Sequence, residues 1–154
     1  MHDPVRLLPV IQENIWIIMS HALGLPVVNS FFTENYVGEF KGIGKLMERG
    51  NQRASRALLE LGAQFRILDD ADGLGSRLAN QRSLRLGHVI QANQSKTPLY
   101  LRDMTNKILH SSAFSFGLDQ GSDPIITCHS REPYRWRQAD IRVYGLMDLA
   151  GMFP

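Results

Sequence analysis

The stretch "PYRWRQADIRVYGLMDLAG", residues 133–151, governs the reading of the fold. Proline suits a first helical turn and glycine a helix end. Between them Trp136, Ala139, Val143, Leu146, Met147 and Ala150 fall on one stripe at helical spacing. The spacing predicts a closing helix from Pro133 to Gly151, and with it a mainly helical chain.

Upstream, "AFSF" and "IITCH" are β-prone runs separated by the turn-rich "GLDQGSDP". This composition predicts one small β-hairpin near residues 113–129, with a loop longer than two residues. Before it, "PLYLRDMTNKILHSS" (98–112) reads as a helix. Residues 73–96 show little period and read as loop, with one helical turn or a short strand near Leu86 to Gln91. The longest expected helix covers about 40–68, where Leu46, Ala54, Ala57, Leu58, Leu61, Phe65 and Leu68 keep three- and four-residue steps. A first helix is expected over 9–23, ending at Gly24 and Pro26, and a short one around Phe31 to Val37. The sum is a helical bundle with one small hairpin.

At 154 residues and 44% hydrophobic content, the chain can bury one core, so a single helical domain over 1–154 is expected. The net charge of +2 gives no field over the whole protein, although 13 arginines against 4 lysines leave room for a local basic surface. Cys128 is the only cysteine, so an internal disulfide is excluded and a reducing, cytoplasmic setting is expected. The most apolar window, Ile15 to Met19, falls far short of the roughly 20 apolar residues of a membrane span, so no membrane partner is expected.

The acidic run at Asp69, Asp70 and Asp72 invites a calcium loop. Aligning Asp70, Asp72 and Gly73 to the loop pattern, however, puts Leu68 and Ala79 where carboxylates are needed. "GLGSRL" has Leu78 where a dinucleotide fingerprint needs glycine and reads as a turn. Cys128 and His129 are adjacent, which on a strand sends them to opposite faces and denies them a shared metal. His21 and His88 read as packed or surface histidines, and His2 as part of a frayed terminus. No metal site and no cofactor is expected. "SREPYRWR" (130–137) combines Arg131, Arg135 and Arg137 with Tyr134, the mixture that holds phosphates while stacking bases. Its competing reading is a helix start in which Trp136 plugs the core and the arginines reach into solvent.

Within 98–112, Leu101, Met104 and Ile108 define a buried face. Arg102, Asn106 and His110 follow one another at four-residue steps, about 110° to 170° from that face. They form an outward polar ladder: a permanent cation, an amide and a group that exchanges protons near neutral pH. That trio suits a phosphodiester, and a plain solvated face is its alternative.

"LRDMTNKILH" resembles the motif-bearing helix of HEPN-domain proteins, a family of small, all-helical, usually dimeric chains, many of them metal-independent RNases. The family motif is an arginine, often a polar residue, then four to six residues and a histidine. Here seven residues separate Arg102 from His110, and Asp103 follows the arginine. The resemblance implies an RNA-directed homodimer in which His110 acts as general acid or base, Arg102 holds the phosphate and Asn106 orients either. The alternative expectation is a non-enzymatic helical dimer acting as a regulatory or protein-interaction module.

Overall fold

The computed structural model describes residues 4–35, 41–73 and 85–152. The mainly helical expectation is corrected: the chain is mixed α/β. Two long helices, α1 (Pro4–Asn35) and α2 (Lys41–Asp72), precede β1 (Gly87–Gln91), β2 (Lys96–Leu99), α3 (Leu101–Leu109), β3 (Ser111–Leu118), β4 (Pro124–Ser130), β5 (Trp136–Arg142) and α4 (Val143–Ala150). The five strands form one antiparallel sheet in the order β2-β1-β5-β4-β3. The all-helical architecture implied by the HEPN resemblance is therefore not the one found.

The correction turns on the stretch 133–151. Ala139 and Val143 are four apart, a spacing that satisfies a helical period and a period of two alike. Ile141 separates the readings, because on a helix it would lie about 200° from Ala139, among the polar residues. On β5 it shares one face with Ala139, and both are fully buried, as is Val143 where α4 begins. Gln138, Asp140 and Arg142 alternate onto the other face. Only the last eight residues, Val143–Ala150, keep the expected helix. The expected hairpin exists as β3 and β4, but as one edge of a larger sheet. The strand alternative near 86–91 is β1, and β2 went unread because Pro98 interrupts it; proline is tolerated there because β2 is an edge strand.

The helices cover one face of the sheet. Ile11, Ile15, Ile18 and Ala22 of α1 meet Ala57, Leu58, Leu61, Phe65 and Leu68 of α2, and both pack with Val89, Leu99, Ile126, Cys128, Ala139 and Ile141 of the sheet. α3 adds Leu101, Met104 and Ile108, and α4 adds Leu146 and Leu149. α2 matches its expected stripe from Ala54 to Leu68, whereas Leu46, expected on the same stripe, is exposed. α1 continues past Gly24 and Pro26, where the missing amide of an interior proline costs about 3 kcal/mol. Of the short helix expected near 31–37, residues 31–35 belong to α1 and the rest lies outside the described residues, as do His2 and residues 74–78 of the "GLGSRL" turn.

Two glycines set close approaches. A Cβ at Gly62 would sit 2.8 Å from Ile108 Cγ2, which is how α3 nests on α2. Gly87 has φ +152°, and a Cβ there would fall 1.8 Å from the Asp140 carbonyl oxygen, so β1 meets β5 only without a side chain. Gly87→Ala is expected to cost about 2 kcal/mol or more in chemical denaturation, with amide exchange rising first in β1 and β2. Wild-type stability in that variant would contradict the β1–β5 register.

Candidate functional site

The ladder is split between two tasks. Arg102 lies with Nε 3.7 Å from Asp69 Oδ2, and Asn106 Oδ1 accepts a hydrogen bond from Arg66 Nη1 at 3.3 Å. Arg66 Nε in turn lies 3.1 Å from Asp70 Oδ2. Asp69 and Asp70 crowd the negative end of the α2 dipole, where carboxylates are disfavoured, so Arg66 and Arg102 offset an unfavourable placement. Arg102 and Asn106 thus brace α3 against α2. His110 is exposed and ends α3, its amide donating to the Asn106 carbonyl at 3.0 Å. It stands about 12 Å along the axis from Arg102, eight residues at 1.5 Å each.

His110 instead meets the second group of candidates. Its carbonyl accepts from the Arg131 amide at 3.2 Å, and Arg131 Nε donates to the neighbouring Ser111 carbonyl at 2.7 Å. The turn after β4 then presents Tyr134, 72% exposed, and Arg135, whose Nη1 is 3.4 Å from Glu132 Oε2. The Tyr134 hydroxyl donates to Glu132 Oε1 at 3.2 Å. Arg137 is exposed at the start of β5, while Trp136 is buried under the Lys107 ammonium, 4.6 Å from the ring centre.

A second constellation occupies the sheet face that the helices leave open. Strand pairing sets Pro98, His88, Asp140, Thr127 and Ser115 in one transverse row across all five strands. Asp140 is 7% exposed at its centre. Its Oδ1 accepts from Thr127 Oγ1 at 2.8 Å and Gln138 Nε2 at 3.1 Å, and its Oδ2 lies 3.0 Å from His88 Nε2. His88 titrates below its ordinary 6.5, because burial disfavours the imidazolium more than the Asp140 carboxylate favours it, and Lys96 adds repulsion. The contact is therefore, near neutral pH, a neutral imidazole donating to a carboxylate. That bond fixes the tautomer and leaves Nδ1 as an acceptor. His88, Asp140, Lys96, Arg142 and Asp119 line a cleft of about 530 Å³, walled by Ile90, Ile125 and the turn between β3 and β4.

At the end of the same row, Ser115 Oγ lies 2.7 Å from Nε2 of His129, which belongs to the next row, and among the described residues no carboxylate bonds to His129, so no triad is assembled. Cys128 points the other way, into the core, as adjacency on a strand requires; burial pushes its thiol up to about 12. Among the described residues no group of three metal-ligating side chains forms, and no helix is long and apolar enough to cross a membrane. No described protein family, curated protein or solved structure matches this chain.

Sequence reasoning treated His88 as a packed or surface residue and passed over Asp140. A signal was present: once "RQADIR" is read with a period of two, Asp140 falls between Gln138 and Arg142 on the face opposite Ala139 and Ile141.

Because His88 titrates lower in the folded protein than in the unfolded chain, its contribution to stability is complete above pH 6.5 and is lost as the pH falls through the folded value. An NMR titration of the histidine rings is expected to place His88 below 6.5, and Asp140→Asn, which removes the attraction, is expected to drive it lower still. A rise in Asp140→Asn would show that the carboxylate does not face the ring.

Proposed function

We propose that this chain is a self-associating interaction module, in which the α1–α2 hairpin packs on that of a second copy. One observation carries the reading: Trp16, Val27 and Leu46, at 69%, 69% and 67%, are the most exposed of the large apolar residues described on α1 and α2. Leu25, Val28, Leu46 and Met47 line one apolar groove between α1 and α2, and Trp16 lines a hollow that shares Ser20, His21 and Gly50 with it. Contiguous apolar surface of this kind marks association sites. A second copy suits it because residues 14–33 contain no Asp, Glu, Lys or Arg. A two-fold axis sets a surface against itself, and pairing through the uncharged α1 side, rather than through Arg53 of α2, which lines the Trp16 hollow, sets no like charges together. Sedimentation velocity is expected to return a dimer at micromolar concentration. Val28→Glu with Leu46→Glu is expected to return a monomer with unchanged helix content. A wild-type monomer at high micromolar concentration would remove the reading.

A second reading, an RNA-directed surface, is favoured by the meeting of His110 with Arg131, Tyr134 and Arg135. Arg131 and Arg135 would hold phosphates and Tyr134 would stack a base. Arg102 sits beside Asp69 and is not needed for this. Fluorescence anisotropy with a single-stranded RNA at fixed salt tests it. Arg131→Gln with Arg135→Gln is expected to weaken binding at least tenfold, Glu132→Gln to tighten it by freeing Arg135, and Arg102→Lys to leave it unchanged. RNA binding that depends on Arg102 and ignores Arg135 would reject this surface.

A further inference from the structure

We propose that the cleft on the open sheet face binds a small phosphate monoester with an apolar or heteroaromatic body. The protein's own contacts engage some of the polar groups in this cleft and leave others open. Asp140 accepts from Thr127, Gln138 and His88, and Asp119 Oδ1 accepts from the amides of Gly121 and Asp123 at 2.8 and 2.9 Å. Both carboxylates of the cleft therefore have their acceptor sites filled by neutral protein donors, although each keeps its negative charge. The two cations of the cleft are not engaged in this way: the side chains of Lys96 and Arg142 line the same space, both exposed, with no hydrogen bond or ion pair to the described residues.

What the cleft has to offer a ligand is two cations, one imidazole acceptor and an aliphatic wall. Two cations match the charge of a phosphate monoester at neutral pH, and the guanidinium of Arg142 presents a fork that phosphate oxygens fill in pairs. Ile90, Ile125 and Leu118 give the rest of the molecule an apolar surface. His88, held by Asp140 as the Nε2–H tautomer, keeps Nδ1 to accept a hydrogen bond from a ligand hydroxyl. A volume of about 530 Å³ lies within the range of small-molecule sites. A bare anion would leave the aliphatic wall unused, and an uncharged ligand would leave both cations unpaired.

The site is lined by residues of all five strands and the β3–β4 turn and by none of the helical hairpin, so its test is independent of self-association. The full-length chain, isotopically labelled, is titrated with adenosine 5′-monophosphate, adenosine and inorganic phosphate while the His88 ring and the amides of β1 and β5 are followed by NMR. The monophosphate is expected to saturate with shifts centred on His88, Ile90 and Arg142, and adenosine and phosphate are each expected to bind at least tenfold more weakly. Arg142→Gln and Lys96→Gln are each expected to weaken the monophosphate at least tenfold with an unchanged melting temperature, since both side chains are exposed and without partners. Adenosine or phosphate binding as well as the monophosphate, shifts centred elsewhere, no shifts at millimolar ligand, or full affinity in the Arg142→Gln, Lys96→Gln double variant would each overturn the proposal.

Discussion

The pairing of β1 with β5 is the constraint on which the rest of the structure depends. It joins residues 87–91 to residues 136–142, across some fifty positions of chain, and without it β2 and β1 would be a separate ribbon with no sheet to extend. The seam is tight: Gly87 lies against the Asp140 carbonyl, and the Arg142 amide donates to the Leu86 carbonyl at 2.8 Å. Closing it has two effects at once. On one face it completes the floor beneath α1 and α2 by adding Val89 and Leu99 to Ala139 and Ile141. On the other it brings His88 beside Asp140, so the polar row is a by-product of the same register. A slip of one residue would exchange the two faces and bury the polar row in the core.

The helical layer is held by close contact with a few polar ties. α1 and α2 approach closely at Gly50, where a Cβ would lie 2.9 Å from the His21 ring, and His21 itself meets Asn51 at 2.6 Å and the edge of Phe116. Asn14, 4% exposed among isoleucines, donates to Gln64 at 3.2 Å, so a buried amide is satisfied only when the two helices are in register. α3 is fastened to α2 in the same manner, by Ile108 over Gly62 and by the Arg66–Asn106 and Asp69–Arg102 contacts. These bonds explain why Arg102 and Asn106 on α3 face α2, across more than thirty positions of chain.

What could be read from the sequence was what repeats locally. The stripe from Ala54 to Leu68 has one period only, and α2 follows it; Leu101, Met104 and Ile108 likewise place α3. The turn residues between Phe116 and Ile125 place the β3–β4 hairpin. β5 was misread because Ala139 and Val143 satisfy both periods and Ile141, the residue that separates them, was not weighed. β2 was missed because Pro98 argues against a strand unless the strand is known to be at an edge. α1 was cut short because a pairing with an equally long partner helix outweighs Gly24 and Pro26, and nothing local announces that partner. The ladder was found but not its engagement, since Asp69 and Arg66 lie more than thirty positions away. The cleft was illegible for the same reason: His88, Asp140 and Lys96 belong to three strands and become neighbours only through register.

The burial of Cys128 makes the molecule its own reporter. With no exposed surface and a thiol raised to about 12, this sulfur is hidden from alkylating reagents twice over, by packing and by the scarcity of thiolate. It sits on β4 beside the central strand, beneath the helical layer. A reagent reaches it only when helices and sheet part, so the rate of labelling measures how often the two layers open. Because it is the sole cysteine, that rate comes from one known place in the protein.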